Sequence, residues 1–195
     1  MKVVLAALVL AATFSIAQDA PSGALQKQFV ENGKIRLDLG LGDYEITRSH
    51  SSQIRINWVT GDAKAPSAIP VTVEVTGASA HVAANGTSDH FHLTIEVPKS
   101  TNLEVHQRGG GLRIEGIIGD KDLENTKGHI VVQVGNPDQY RHVEVSVNAG
   151  NLFATPFERV KRGLGRSFTW DGPGSYSLNV RLAEGDINLV PGDEI

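Results

Sequence analysis

The sequence contains no cysteine among its 195 residues. This absence excludes disulfide bonds, thiolate metal ligands, a cysteine nucleophile and a lipid-anchored cysteine. An exported domain without disulfides must be stabilised by its own hydrophobic core, and a chain of this length can form one.

Helical periodicity is also missing from the sequence. Nowhere do apolar residues recur at positions i, i+3, i+4 and i+7 over the length of a helix. Beyond residue 17, no apolar segment is long enough to cross a bilayer, which requires about 20 apolar residues.

Several motifs that indicate catalysis or ligand binding are absent. No serine lies in a Gly-x-Ser-x-Gly nucleophile elbow. The run Gly109-Gly110-Gly111 is too short for a phosphate-binding loop, and no Lys-Ser or Lys-Thr pair follows it. The Gly-Gly-x-Gly-x-Asp repeat that binds Ca²⁺ in β-rolls is missing as well. We therefore predict no catalytic residue, no metal site and no cofactor.

Positive charge is in slight deficit, with 18 Lys and Arg against 22 Asp and Glu and a formal net charge of −4. An acidic protein is repelled by phosphate backbones and by anionic lipid surfaces. The composition therefore argues against a nucleic acid or a membrane surface as the partner.

The first residues are organised as a signal peptide. Lys2 is followed by an uninterrupted apolar run over residues 3–12, and Ser15 and Ala17 supply the small residues that signal peptidase requires. We expect cleavage after Ala17, so that residues 1–17 form a signal peptide, and we expect export to the periplasm, the cell surface or the medium. An uncleaved N-terminal anchor is the alternative.

The remainder is predicted to comprise a leader and one domain. Residues 18–29 are polar and contain Pro, Gly and Ser, which is typical of a flexible leader. From residue 30 to residue 195, apolar and polar residues alternate in short runs such as Ile54–Trp58 and Leu93–Val97. Alternation of this kind predicts strands with one buried face, and the buried residues are mostly β-branched or Leu.

A glycine-initiated unit recurs along the chain: Gly, any residue, a branched aliphatic residue, any residue and another apolar one. Its copies begin at Gly42, Gly111, Gly128, Gly150 and Gly185, the second being one residue shorter. Repeats with a fixed structural period are typical of stacked solenoids. We predict an all-β, β-solenoid-like stack, with a β-sandwich as the alternative, and an inserted loop at about residues 156–174.

The order of these runs has a counterpart in a known group of proteins. The strand Phe91–Pro98, the short run Leu103–Val105, the Gly-Gly-Leu-Arg-Ile segment 110–114 and the final run Gly185–Leu189 follow one another across residues 30–190. In this order the sequence resembles the bacterial putative-adhesin families, which are exported β-strand-repeat domains. The resemblance implies a β-solenoid-like fold and a location in the cell envelope, and it implies no catalytic residues.

Two groups of residues could bind a metal ion or cleave a polysaccharide. His90 and His92 lie on one face of a predicted strand, and His81 or His106 could add a third imidazole for Zn²⁺ or Cu²⁺. Carboxylates on stacked strands could form a polysaccharide-cleaving groove. The simpler interpretation is that the histidines are solvated and that the aspartates after glycine stabilise turns. The carboxylates of such a polysaccharide-cleaving groove would be Asp120, Asp122 and Asp186.

The predicted binding residues lie near the C-terminus, where basic and aromatic residues are interleaved. Such a patch on an acidic protein could contact an anionic partner such as an acidic glycan. The alternative is that the aromatic residues pack on the core and the charges are solvated. We predict binding by Arg159, Arg162, Arg166 and Trp170.

The function predicted from the sequence is that of a non-catalytic, adhesin-like module that is exported and binds an envelope glycan or protein. Self-association through the ends of the stack is a further possibility for such a repeat protein. A carbohydrate-active enzyme and a periplasmic metal-binding protein are the alternatives.

Overall fold

The computed structural model describes residues 22–61 and 71–192. Within these ranges the chain forms ten strands and two short 3₁₀ turns, and it contains no α-helix. The all-β prediction is confirmed. The strands are β1 (Ser22–Gln28), β2 (Gly33–Ser49), β3 (Gln53–Thr60), β4 (Val71–Thr76), β5 (Ser79–Pro98), β6 (Thr101–Glu115), β7 (Lys121–Gln133), β8 (Tyr140–Ala154), β9 (Arg159–Asp171) and β10 (Tyr176–Val190).

The strands form one open sheet in the spatial order β1-β3-β5-β2-β6-β7-β10-β8-β9, with β4 also paired to β5. The six central strands, from β5 to β8, are parallel to one another. The strands at the two ends, β1, β3, β4 and β9, are antiparallel. Strand β10 lies between β7 and β8, so the order in space differs from the order in sequence.

A row of glycines with positive φ marks a bend near the middle of five of the six central strands, all except β5. Gly110, Gly128 and Gly185 have φ values of 97°, 133° and 131°. A Cβ on Gly185 would lie 1.7 Å from the carbonyl oxygen of Gly128. Only glycine combines this backbone conformation with so close an approach to the neighbouring strand. The full row is Gly42, Gly110, Gly128, Gly185 and Gly150, which we call the glycine corner.

The bend places both halves of each strand around one core. In β10, for example, Leu178 and Val180 are buried before the corner, and Ile187 and Leu189 are buried after it. In β10 the inward residues change from even to odd positions because the glycine corner shifts the alternation. Parallel pairing aligns equivalent apolar residues of successive strands, so the core consists of aliphatic rows.

Two amide side chains point inward beside the glycine corner and donate hydrogen bonds to backbone carbonyl groups there. Gln107 donates through Nε2 to the carbonyl oxygens of Gly42 and Gly109, at 3.1 and 2.8 Å. Asn125 donates to the carbonyl oxygen of Gly110 at 3.1 Å. Buried carbonyl groups are costly to leave without a donor, so these amides stabilise the bend.

Lys121 is the one buried cation of the described residues. It faces inward between Leu103 and Leu178, and only 1% of its surface is exposed. Its Nζ donates to the carbonyl oxygen of Gly119 at 3.1 Å and to the hydroxyl of Tyr140 at 3.3 Å. Burial lowers the pKa of Lys121 to about 8, because the charged ammonium is poorly solvated in the core.

The structure differs from two of the sequence-based expectations. Residues 156–174, expected to be a loop, contain β9, which pairs with β8 along its whole length. Residues 22–28 of the expected flexible leader form β1, which pairs with β3. No side chain of β1 is buried and Phe168 is the one buried side chain of β9, so neither strand shows the alternation of buried apolar and exposed polar residues that reveals a strand. The expected signal peptide, residues 1–17, lies outside the described residues.

Among the described residues, no helix is long and apolar enough to span a membrane.

Candidate binding surface

The four predicted binding residues all lie on β9, the last strand of the sheet, but they do not share one face. Directly opposed residues of an antiparallel pair point to the same side. Arg159, Arg166 and Trp170 oppose the inward residues Ala154, Val147 and Val143 of β8. These three side chains therefore project at the open end of the core. Arg162 opposes Asn151 and points to the outer face.

Trp170 belongs to an aromatic cluster that closes this end of the core. Its ring centroid lies 5.1 Å from that of Phe157, which in turn lies 5.8 Å from Phe168. Phe157 and Phe168 are buried, whereas Trp170 is half-buried. Part of the tryptophan ring is therefore used for packing, and the rest faces solvent.

Arg162 lies over an aromatic ring on the outer face. Its guanidinium carbon is 5.8 Å from the centre of the Phe153 ring, which is the range of a cation–π contact. Val160, next to Phe153 on the paired strand, has 61% of its surface exposed. This part of the outer face thus combines a cation with an accessible apolar surface.

The cations of β9 have no carboxylate partner among the described residues. Lys161 donates to the carbonyl oxygen of Ser167, and Arg166 donates to that of Arg162, so both contact backbone only. Arg159, at the start of the strand, donates to the carbonyl oxygen of Glu158. Around Gly165 and Ser167, three of these cations line one cavity: Lys161, Arg162 and Arg166. We call Arg159, Lys161, Arg162 and Arg166 the basic strand cluster.

Many cations of the central strands, in contrast, form ion pairs. Arg36 contacts Asp38 and Glu104, each at 3.2 Å, and its hydrogen bond with Asp38 raises the pKa of Arg36 and lowers that of Asp38. Lys34, whose Nζ lies 2.6 Å from Oε2 of Glu104, lowers the pKa of that carboxyl group. Arg113 contacts Glu115, and Arg181 contacts Asp122 at 2.8 Å. These central arginines are thus neutralised locally, whereas the cations of β9 have no carboxylate partner in the part of the chain that the structure describes.

The histidines of the metal hypothesis do not converge. His90 and His92 are exposed on β5 after the glycine corner. His81 lies before it and contacts Asp38 at 2.7 Å, and His106 contacts Glu104 at 3.2 Å. No three His, Asp or Glu side chains of the described ranges are close enough together to hold a metal ion.

The carboxylates of the enzyme hypothesis are engaged in hydrogen bonds or ion pairs. Asp120 accepts from the backbone N–H and the hydroxyl of Ser177, at 2.7 and 2.9 Å. Asp186 accepts from the backbone N–H of Asn151 at 2.9 Å. Asp122 is paired with Arg181. Asp120 and Asp186 thus bridge adjacent strands through backbone amides, which is a structural use of the Gly-Asp sequence.

The sequence itself gives no match in two comparisons: no protein-family model fits it, and no curated protein is similar to it. The fold has a counterpart among solved structures. A putative cell adhesion protein from Clostridium sporogenes aligns with a TM-score of 0.56 and 12% identity, over 88% of this chain and 99% of that chain. The two proteins share a fold. The resemblance to putative adhesins is therefore confirmed at the level of architecture.

Two further structures give weaker alignments. A putative adhesin from Parabacteroides distasonis has a TM-score of 0.29 and 15% identity, over 59% of this chain and 58% of that chain. A putative adhesin from Parabacteroides merdae has a TM-score of 0.27 and 15% identity, over 60% of this chain and 57% of that one.

Proposed function

We propose that this protein is an exported, non-catalytic binding module of the cell envelope, and that the basic strand cluster binds an anionic partner, either an acidic glycan or an acidic protein segment. In this proposal the bent parallel strands form a β-solenoid-like scaffold that presents β9 at one end. The parallel pairing of the central strands before and after the glycine corner supports the scaffold, since in the β6–β7 pair Leu103 pairs with Lys121 and Gly110 with Gly128.

The observation that carries the proposal is that, within residues 22–61 and 71–192, the four cations of β9 have no carboxylate partner. Unpaired guanidinium groups on a strand edge remain available for carboxylate or sulfate oxygens, which they bind through paired hydrogen bonds. Arg166 and Lys161 are already oriented by the backbone carbonyl groups that they contact. Prior orientation reduces the entropy lost on binding.

The net negative charge of the chain is compatible with this site. Charges farther apart than about 10 Å are largely screened at ordinary ionic strength, so the partner experiences the local field of β9. A partner held mainly by such contacts should dissociate as the salt concentration rises.

The test compares two triple variants on immobilised hyaluronan and on immobilised polyglutamate. The first variant is Arg159→Gln, Arg162→Gln and Arg166→Gln, which removes three unpaired cations. The matched control is Arg36→Gln, Arg55→Gln and Arg181→Gln, which removes the same charge from arginines that are paired with carboxylates. Exposed ion pairs contribute little to stability, so both variants should fold.

We expect the wild-type protein and the control variant to be retained on at least one column and to elute at similar salt concentrations. The β9 variant should pass through unretained, with an unchanged circular dichroism spectrum. Equal loss of retention in both variants would mean that only net charge matters. Retention of the β9 variant, or no retention of the wild-type protein on either column, would also contradict the proposal.

A further inference from the structure

A line of polar side chains, interrupted at one glycine, crosses the outer face immediately after the glycine corner. The pairing register places one residue of each of seven adjacent strands at the same level. We call this line the polar row. From β5 to β9 its members are His92, Asp43, Gly111, His129, Asp186, Asn151 and Arg162.

Basic side chains recur at every third strand of the polar row, and the first two of them are each followed by a carboxylate. His92 is followed by Asp43, with 3.5 Å between Nδ1 and Oδ2, and His129 is followed by Asp186. Arg162 ends the row on β9. Neighbouring members of the row are separated by the spacing of strands, about 4.8 Å. The seven strands together span roughly 30 Å.

Gly111 leaves a gap in the polar row into which its neighbours point. A Cβ at this position would lie 2.7 Å from Nε2 of His129 and 2.8 Å from Oδ1 of Asp43. The two side chains thus approach each other over the glycine and form the floor of a shallow groove, with Arg113 at its margin. Gly111 has no left-handed backbone conformation, so glycine is not needed there for the turn of the chain.

Beside the polar row runs a line with apolar character. Val131 of β7, Asn188 of β10, Phe153 of β8 and Val160 of β9 are aligned by the pairing register. Phe153 is half-buried and Val160 is exposed. The outer face therefore offers hydrogen-bonding groups next to an aromatic ring and aliphatic surface.

We propose that the polar row is a track for a linear glycan that carries acidic groups at intervals and runs across the strands toward β9. Sugar rings combine hydroxyl groups at their rims with apolar C–H faces, which matches a polar row beside an apolar one. The acidic substituents would face His92, His129 and Arg162, and hydroxyl groups would face Asp43 and Asp186. The inference rests on the proposed function, since it names the chemical class of the anionic partner.

A peptide fits this face less well than a glycan does. The backbone groups of the central strands are used in pairing with both neighbours, so an added strand would find no free N–H or C=O groups there. A nucleic acid carries a phosphate on every residue, and two of those phosphates would face the carboxylates of Asp43 and Asp186.

The experiment measures the affinity of the full chain for hyaluronan oligosaccharides of two lengths by calorimetry. If the track is correct, the hexasaccharide should bind at least about tenfold more tightly than the disaccharide, because additional contacts form along the row. The variants are His129→Ala, which removes a central member, and Gly111→Ala, which pushes His129 and Asp43 apart. Each should weaken hexasaccharide binding by about tenfold and leave disaccharide binding unchanged.

The outcomes separate this inference from the proposed function. Equal affinities for the two lengths, with no effect of His129→Ala, would overturn the track while leaving the basic strand cluster as the anion site. Binding to polyglutamate but not to hyaluronan would overturn it in the same way. A reduced hexasaccharide affinity in both row variants, with wild-type melting temperatures, supports it.

Discussion

Gly185 and Gly128 face each other across the β7–β10 pair so closely that a Cβ on Gly185 would lie 1.7 Å from the carbonyl oxygen of Gly128. The same approach recurs from strand to strand along the glycine corner. The corner keeps both halves of each strand around a single core, so the scaffold depends on it.

Replacing Gly185 by Ala should strongly destabilise the protein. The new Cβ would meet a backbone oxygen that cannot move without breaking the sheet, and φ at this position is 131°. We expect a loss of at least about 3 kcal/mol in the free energy of unfolding, or failure to fold. Gly61→Ala is the control, since its Cβ would have no contact closer than 3.6 Å. Equal stabilities in urea titrations would contradict the role of the corner.

Replacing Lys121 by Met should stabilise the protein at neutral pH. In the wild-type protein the folded-state pKa is about 8, below the ordinary value of 10.5. Between these values the unfolded chain binds more protons than the folded one, so stability increases as the pH rises from 8 to 10.5. Below pH 8 the charged lysine is held in the core at a cost of about 3 kcal/mol.

The measurement for Lys121 is the free energy of unfolding at pH 7, 8, 9 and 10. We expect the advantage of Lys121→Met over the wild-type protein to shrink as the pH rises. The exposed Lys127→Met is the control, and its difference from the wild-type protein should stay constant over this range. If the difference in the free energy of unfolding between Lys121→Met and the wild-type protein also stayed constant with pH, the lysine would not be buried in the charged form.

Replacing Phe157 by Ala should open the aromatic cluster at the end of the core. Phe157 is 5% exposed and contacts Phe168 and Trp170, so its removal should cost about 3 kcal/mol. In a Trp58→Phe background, the fluorescence of Trp170 should shift to longer wavelength. Phe153→Ala, on the outer face, should leave this emission unchanged. An unshifted spectrum for Phe157→Ala would contradict the proposed packing.

Much of the fold could be predicted because local alternation records burial. The run Leu93–Val97, for instance, lies within β5, and its odd positions are buried. The repeated glycines were also informative, although Gly128 and Gly185 lie within long strands and not between them. The neighbouring parallel strands pair with each other both before and after the bend. The glycines therefore mark a bend within a strand and not the end of one.

Other features depend on pairing that no local pattern records. Strand β9 has almost no buried side chain, and its apolar residues Val160 and Leu164 are exposed. Its identity as a strand follows only from its pairing with β8. The polar row requires the register of seven strands, one of which, β10, is inserted between β7 and β8. The basic residues of β9 were identified from composition, but their division between two faces required the structure.

The central claim, that β9 binds anionic partners, is tested most directly by an NMR titration of ¹⁵N-labelled protein with a hyaluronan hexasaccharide and, in parallel, with a glutamate hexapeptide. We predict that at least one of them shifts the backbone amide signals of residues 159–170 while those of β1, β3 and β4 stay unchanged. Shifts concentrated on β1, β3 or β4, or no shifts with either compound in a folded protein, would contradict the account.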